Sequence, residues 1–220
     1  MSSGKVEHSR RVIRIIDRLA AEYGEVRSFL SYRTPFELLI AVILSAQTTD
    51  RQVNLITPEL FERWPTPQSL ADAGPTEVER ILHPIGFFRA KTRSIQATAR
   101  DVVERFGGSV PESMEDLTSL SGVGRKSANV IRGTIFGKPA VIVDTHFGRV
   151  ARRLGLTAES DPAKVEAEIA RIVRESDQMR FSMLANKHGR VYCHARKPDC
   201  ESCPIRALCP FPRFARDGSK

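Results

Sequence analysis

The chain has 220 residues, enough to bury a substantial core without disulfide staples. Its 34 Lys and Arg against 26 Asp and Glu leave a formal charge of +8, which favours an anionic partner such as nucleic acid or an acidic membrane surface. The first residues run into Arg10-Arg11 with no apolar secretory stretch, and the longest apolar run, Leu38 to Leu44, is far shorter than the roughly 20 residues of a membrane span. The expectation is a soluble, cytoplasmic protein with no membrane partner, whose four cysteines are metal ligands or reactive thiols and not disulfides.

Helical periods with explicit start and stop signals follow one another along the chain. Val12, Ile16, Leu19 and Tyr23 share one helical face, and Gly24 is the stop. Thr34-Pro35-Phe36-Glu37 combines an N-cap, a proline at the first helical position and a capping-box acid, and opens a buried helix through Leu38 to Ala46. Thr57-Pro58, Thr66-Pro67, Gly74-Pro75 and Asp161-Pro162 repeat the starter signal. Further helices are predicted near 91 to 106, 113 to 119, 126 to 136, 145 to 154, 162 to 175 and 179 to 188, and only Ala140 to Val143 reads as extended. The fold class is all-α, with a separate loop-like module at the Cys-rich end.

Charge is clustered. Between residues 119 and 155, Arg125, Lys126, Arg132, Lys138, Arg149, Arg152 and Arg153 stand against the single acid Asp144, and between 186 and 220 eight basic residues stand against three acids. This is the footprint of a phosphate-backbone binder, or of two solvated helix faces.

Leu120-Ser121-Gly122-Val123-Gly124-Arg125-Lys126 joins a short helix to a long one. Gly122 and Gly124 permit a tight hairpin with exposed amides, and the next helix adds its positive end, a seat for a phosphate that reads no bases. The alternative is an ordinary interhelical turn. Lys126 lies in the first turn of the following helix, beside Arg125. A lysine attacks a sugar C1′ only as the free amine, which a helix N-terminus, a neighbouring cation and partial burial all favour; at least two of these surround it. Asp144 precedes Thr145-His146 as an N-cap, and an ionised carboxylate there is suited to stabilising oxocarbenium charge or activating a nucleophile.

The most specific signal is Cys193-x6-Cys200-x2-Cys203-x5-Cys209, which holds all four cysteines. This spacing suits thiolates wrapped around an iron–sulfur centre. A structural zinc site competes, but it ordinarily presents two close pairs of cysteines and only one is present. His194, Arg196 and Lys197 lie between the first two cysteines, in a basic loop that is either a second phosphate contact or a solvated connector.

Together these segments resemble the helix-hairpin-helix DNA glycosylases, and within them the endonuclease III family. The likeness runs from Val12 to Cys209 and rests on Leu44-Ser45-Ala46-Gln47-Thr48-Thr49-Asp50, Gly122 to Asn129, Val143-Asp144-Thr145-His146 and His188-Gly189-Arg190. It implies a six-helix barrel domain over 29 to 139 and an iron–sulfur cluster domain built from 1 to 28 and 140 to 220, with DNA across the cleft between them. It implies a [4Fe-4S] cluster, and a monomer that acts on double-stranded DNA carrying a damaged pyrimidine or an abasic site. Lys126 is then the nucleophile that forms a Schiff base, and Asp144 its catalytic partner. Gln47 fills the space left by the flipped-out base. The loop Ile85 to Arg89 supplies a wedge, and the hairpin with Arg125 and His146 belongs to the DNA-binding surface.

Two departures from the family pattern bear on rate and opposite-base preference. Phe87 stands where an aliphatic wedge is common, and Arg89 where a small polar residue is common. Ser121 replaces a hairpin proline, which Gly122 and Gly124 make tolerable. A monofunctional adenine or thymine mismatch glycosylase on the same scaffold is the alternative; those relatives usually lack a lysine at the position of Lys126. A non-enzymatic DNA-binding module is a third reading, under which Lys126 and Asp144 would be coincidental.

Overall fold

The computed structural model describes residues 3–26 and 28–211, the side chains of residues 3–8 excepted. Arg213, Arg216 and Lys220, which belong to the second basic region, lie outside the described residues. All regular structure among the described residues is helical, in two compact units. No helix among them is long and apolar enough to cross a membrane.

One unit is Ser28–Lys138. It holds α2 (Pro35–Leu44), α3 (Asp50–Arg63), α4 (Pro67–Ala71), α5 (Pro75–Leu82), α6 (Phe88–Phe106), α7 (Met114–Ser119) and α8 (Arg125–Ile135). Helix α2 is its axis. Every residue from Phe36 to Leu44 is buried, and α3, α6 and α8 pack against it. A helix apolar on all sides is stable only when enclosed in this way. Thr34 caps α2 by accepting from the Glu37 amide at 3.2 Å. The reciprocal half of the expected capping box is displaced by one residue, because the Glu37 carboxylate accepts from the Arg33 amide at 2.6 Å and pairs with its guanidinium at 2.8 Å. The carboxylate, buried at the helix start, thereby gains a full positive charge as partner, which a cap amide alone would not supply.

Thr57-Pro58 is not a helix start. Helix α3 begins a full two turns earlier, at Asp50, where Thr49 accepts from the Gln52 amide, and Pro58 lies inside it. Thr57 is buried in the core and has no capping role. Thr66-Pro67 and Gly74-Pro75 do open α4 and α5, and Thr66 and Ser69 form a complete capping box.

The other unit is Met1–Arg27 with Pro139–Lys220. It contains α1 (Ser3–Tyr23), α9 (Thr145–Arg153), α10 (Pro162–Ile172), α11 (Glu175–Val191) and a 3-10 turn at Arg206–Leu208. Helix α11 packs on α9 and α1, and α1 on α10. Ile15, Leu19, Phe147, Val150, Phe181 and Leu184 form the heart of its core, with the rings of Phe147 and Phe181 edge to face at 5.5 Å. The sequence periods place the break between α10 and α11 a few residues late. Val173 is already extended, and the Gln178 side chain caps its carbonyl at 3.3 Å. Residues 140 to 143 form no strand; the Ile142 amide is taken instead by Ser182 Oγ at 3.0 Å, which ties the segment leading to Asp144 onto α11.

Candidate active site and iron–sulfur centre

In the Ser28–Lys138 unit the hairpin is set by Gly122. Its φ is +80°, and a Cβ there would stand 3.0 Å from Ile43 Cγ2 and 3.2 Å from Ser94 Cβ. Glycine is therefore required both for the turn and for packing on α2 and α6. Thr98 donates to the Ser121 carbonyl at 2.9 Å and holds the hairpin from below. Gly124 differs: its φ is −91°, and a Cβ would meet nothing within 4 Å. Its small size leaves open space in front of the α8 N-terminus, whose first-turn amides have no intrahelical acceptor. Arg125 and Lys126 are the first two residues of α8, and both are exposed. Of the influences expected on Lys126, the helix end and the neighbouring cation are in place, and burial within the chain is not.

Gln47 and Phe87 belong to the same unit. Both have left-handed backbones, with φ of 52° and 58°. Phe87 is 68% exposed, the most exposed of the large apolar side chains among the described residues. Among the described residues the non-glycine positions with positive φ are Gln47, Phe87 and Lys197, all three expected to contact DNA. Such backbones are costly for residues with a Cβ and concentrate at functional sites. Arg89 lies over the Phe88 ring at 5.1 Å and 3.8 Å from Glu79, so its charge is held beside α5.

In the other unit Asp144 is the N-cap of α9. Its Oδ1 accepts from the Phe147 amide at 2.7 Å, and its Oδ2 accepts from the Asn186 side-chain amide. Asn186 in turn accepts from Arg190 Nε at 2.8 Å. Asn186 is buried, and sequence reasoning missed it, since nothing in the α11 period marks a polar residue as a carboxylate partner. His146 packs against Gly189 of α11: a Cβ on Gly189 would lie 3.0 Å from His146 Cβ and 3.1 Å from its carbonyl oxygen.

The four cysteine side chains line one cavity, together with Val150, Leu154, His188 and Ile205. None is in a disulfide. Burial pushes the Cys203 thiol up to about 11, and the neighbouring thiols add to the rise; burial likewise raises Cys200 and Cys209. Four convergent sulfurs that oppose each other's ionisation in an apolar-walled pocket are a donor set that a cationic iron–sulfur centre fits, because its charge supplies what their mutual repulsion lacks. His188, buried, accepts from or donates to Tyr23 Oη through Nδ1 at 2.9 Å and lies 3.5 Å from Cys203 Sγ through Nε2. Burial lowers its pKa to about 4, so the ring is neutral.

Part of the basic footprint is structural. Arg149 donates to the Cys193 and Gly189 carbonyls, each at 2.8 Å. Arg153 donates to Cys193 Sγ at 3.2 Å and to the His194 and Ala195 carbonyls at 2.7 and 3.1 Å. Both guanidinium groups thus fasten the start of the cysteine loop. Lys138 is paired with Glu112 at 2.6 Å. Arg196 and Lys197 remain exposed on that loop.

Residues 40–175 match the model of the HhH-GPD superfamily of base excision DNA repair proteins, and residues 193–209 match the iron–sulfur binding domain of endonuclease III. Endonuclease III of Synechocystis sp. is 43% identical over 209 residues, covering 94% of each chain. That of Escherichia coli is 38% identical over 199 residues, covering 90% of this chain and 94% of its own. Two solved endonuclease III–DNA structures, one non-covalent and one a trapped covalent intermediate, superpose with a TM-score of 0.88 at 36% identity and 98% coverage of their chains. A thermostable thymine-DNA glycosylase shares the fold at 22% identity with a TM-score of 0.81. The cofactor is a [4Fe-4S] cluster. The chain belongs to the endonuclease III family of helix-hairpin-helix base-excision repair proteins.

Proposed function

We propose that the chain is a bifunctional DNA glycosylase and AP lyase that removes oxidised pyrimidines such as thymine glycol from duplex DNA and cleaves abasic sites. It acts as a monomer in the cytoplasm, at the nucleoid. The observation that carries this reading is Lys126, an exposed amine on the second residue of α8, directly after the glycine hairpin. The relatives that support it include a trapped covalent endonuclease III–DNA intermediate.

In the reaction the free amine of Lys126 attacks C1′ of the extruded nucleotide. An N–C1′ bond forms, the glycosidic bond breaks, and the base leaves with the bonding pair and takes up the proton lost by the attacking nitrogen. Asp144 stabilises the positive charge that develops on the sugar, its two oxygens held in place by the Phe147 amide and Asn186. Opening of the sugar gives a Schiff base. Loss of a C2′ proton then expels the 3′ phosphate by β-elimination, and water hydrolyses the imine to restore the lysine.

The exposed hairpin, with Gly122, Gly124 and Arg125, is suited to a backbone phosphate. Arg196, Lys197 and His146 supply further contacts, Gln47 occupies the vacated base position, and Phe87 stacks on the opposite strand. Cys193, Cys200, Cys203 and Cys209 hold the cluster, which folds the basic loop and takes no part in the steps above.

The test is incubation with duplex DNA containing thymine glycol. Base release together with strand scission is the expected result, both abolished in Lys126→Ala. Release of a mismatched adenine or thymine without scission would instead establish the monofunctional alternative.

A further inference from the structure

Lys91 is a lysine with no role in the reaction just described, yet it is 6% exposed. It lies in the first turn of α6 and reaches across the unit to Thr48, to which its ammonium group donates. The Thr48 hydroxyl in turn donates to the Ala46 carbonyl at 3.4 Å. Thr48 and Ala46 flank Gln47, so this chain of contacts closes around its left-handed backbone. Its backbone amide makes the first i→i−4 bond of α6, to the Phe87 carbonyl at 3.0 Å, so the side chain starts from the helix end that Phe87 caps. One residue is therefore bonded next to both strained positions that face the DNA in the reading above. Burial lowers the lysine's pKa, the cost of placing a cation there, and packing alone would be served by an apolar side chain.

We infer that Lys91 is a positioning residue that locks the Gln47 loop to the base of the Phe87 turn, so that the two side chains meet the duplex as one preformed probe. The inference rests on the proposed roles of Gln47 and Phe87. Both residues hold backbones that a free loop would leave. A rigid tether between them removes that freedom before DNA arrives, so extrusion of a stacked base does not have to supply the ordering.

The experiment is single-turnover excision of thymine glycol, either paired with adenine or placed in an unpaired bulge where no stacked pair must be broken. The variants are Lys91→Met, Thr48→Val, Gln47→Ala and their doubles, all checked for helicity and iron content. Lys91→Met and Thr48→Val should each slow excision of the paired lesion about tenfold, the size typical of lost support to a functional group. The loss should shrink to about twofold or less on the bulge, and neither variant should add to Gln47→Ala. A loss equal on both substrates, or one that multiplies with Gln47→Ala, would overturn the inference. If Lys91→Met does not fold, Thr48→Val decides, because it keeps Lys91 in place and removes only the hydroxyl that links it to the Gln47 loop. Wild-type rates for Gln47→Ala on the paired lesion would sink the reading of Gln47 itself. A slow Gln47→Ala beside normal Lys91→Met and Thr48→Val would sink only the tether.

Discussion

Asn186 donates its side-chain amide to Oδ2 of Asp144, and so couples the carboxylate at the start of α9 to the middle of α11. The other oxygen is committed to the Phe147 amide. The same carboxylate thus serves as helix cap and as the charge proposed to face the sugar.

These two roles separate by substitution. Asp144→Asn keeps a good cap, so its stability should stay within about 1 kcal/mol of wild type while excision falls by about 100-fold or more. Asp144→Ala should show the same catalytic loss and a further loss of about 1 kcal/mol in chemical denaturation. Asn186→Leu should lower kcat by about tenfold with KM little changed, because it releases the orientation of Asp144 without touching DNA. Unchanged kcat in Asn186→Leu would mean that the α9 cap alone positions the carboxylate.

The hairpin glycines should respond in opposite ways. Gly122→Ala meets Ile43 and Ser94 in a left-handed backbone and should cost about 1–3 kcal/mol of stability. Gly124→Ala has open space on every side, so it should fold normally and lose affinity for duplex DNA in a binding titration. Equal stability losses in the two would show that the space before α8 is needed by the fold and not by a phosphate.

Removal of the arginine clamp tests the link between the basic loop and the cluster. Arg153→Met deletes the bonds to Cys193 Sγ and to the His194 and Ala195 carbonyls. Iron analysis and visible absorbance should show faster cluster loss under oxidant, and hydrogen exchange should rise across residues 193–209. Wild-type retention would show that the loop keeps the cluster without the clamp.

His188 and Tyr23 offer an electrochemical test. With a cluster bound, Cys203 would be a thiolate that can only accept, so the neutral His188 ring would carry its proton on Nε2, facing the sulfur, and Nδ1 would accept from Tyr23. A hydrogen bond to a ligand sulfur stabilises the more negative, reduced cluster. His188→Phe should therefore move the midpoint potential negative, with Tyr23→Phe moving it less in the same direction. A potential that stays put in His188→Phe would leave the histidine as packing.

How far these features can be read from the sequence depends on whether their cause is local. Thr34, Asp144 and Asp161 all cap helices where their side chains and the following residues say they should. Thr57-Pro58 misled because the same dipeptide fits inside a helix whose real start, Thr49, lacks a proline. Cysteine spacing is also local, and the four thiols do converge. Lys91 with Thr48, Asn186 with Asp144, and Tyr23 with His188 are pairs 43, 42 and 165 residues apart. No period or motif encodes such meetings; they exist only once the helices have packed. Charge counting finds the basic stretch but does not sort its members, since Arg149 and Arg153 hold carbonyls of the cysteine loop and its approach.

The most direct measurement of the central claim is the site of the covalent bond. Borohydride reduction of the protein bound to an abasic or thymine-glycol duplex, followed by proteolysis and mass spectrometry, should place the sugar remnant on Lys126 alone. A remnant on Lys91 or on any other lysine, or an undiminished adduct in Lys126→Ala, would contradict the account.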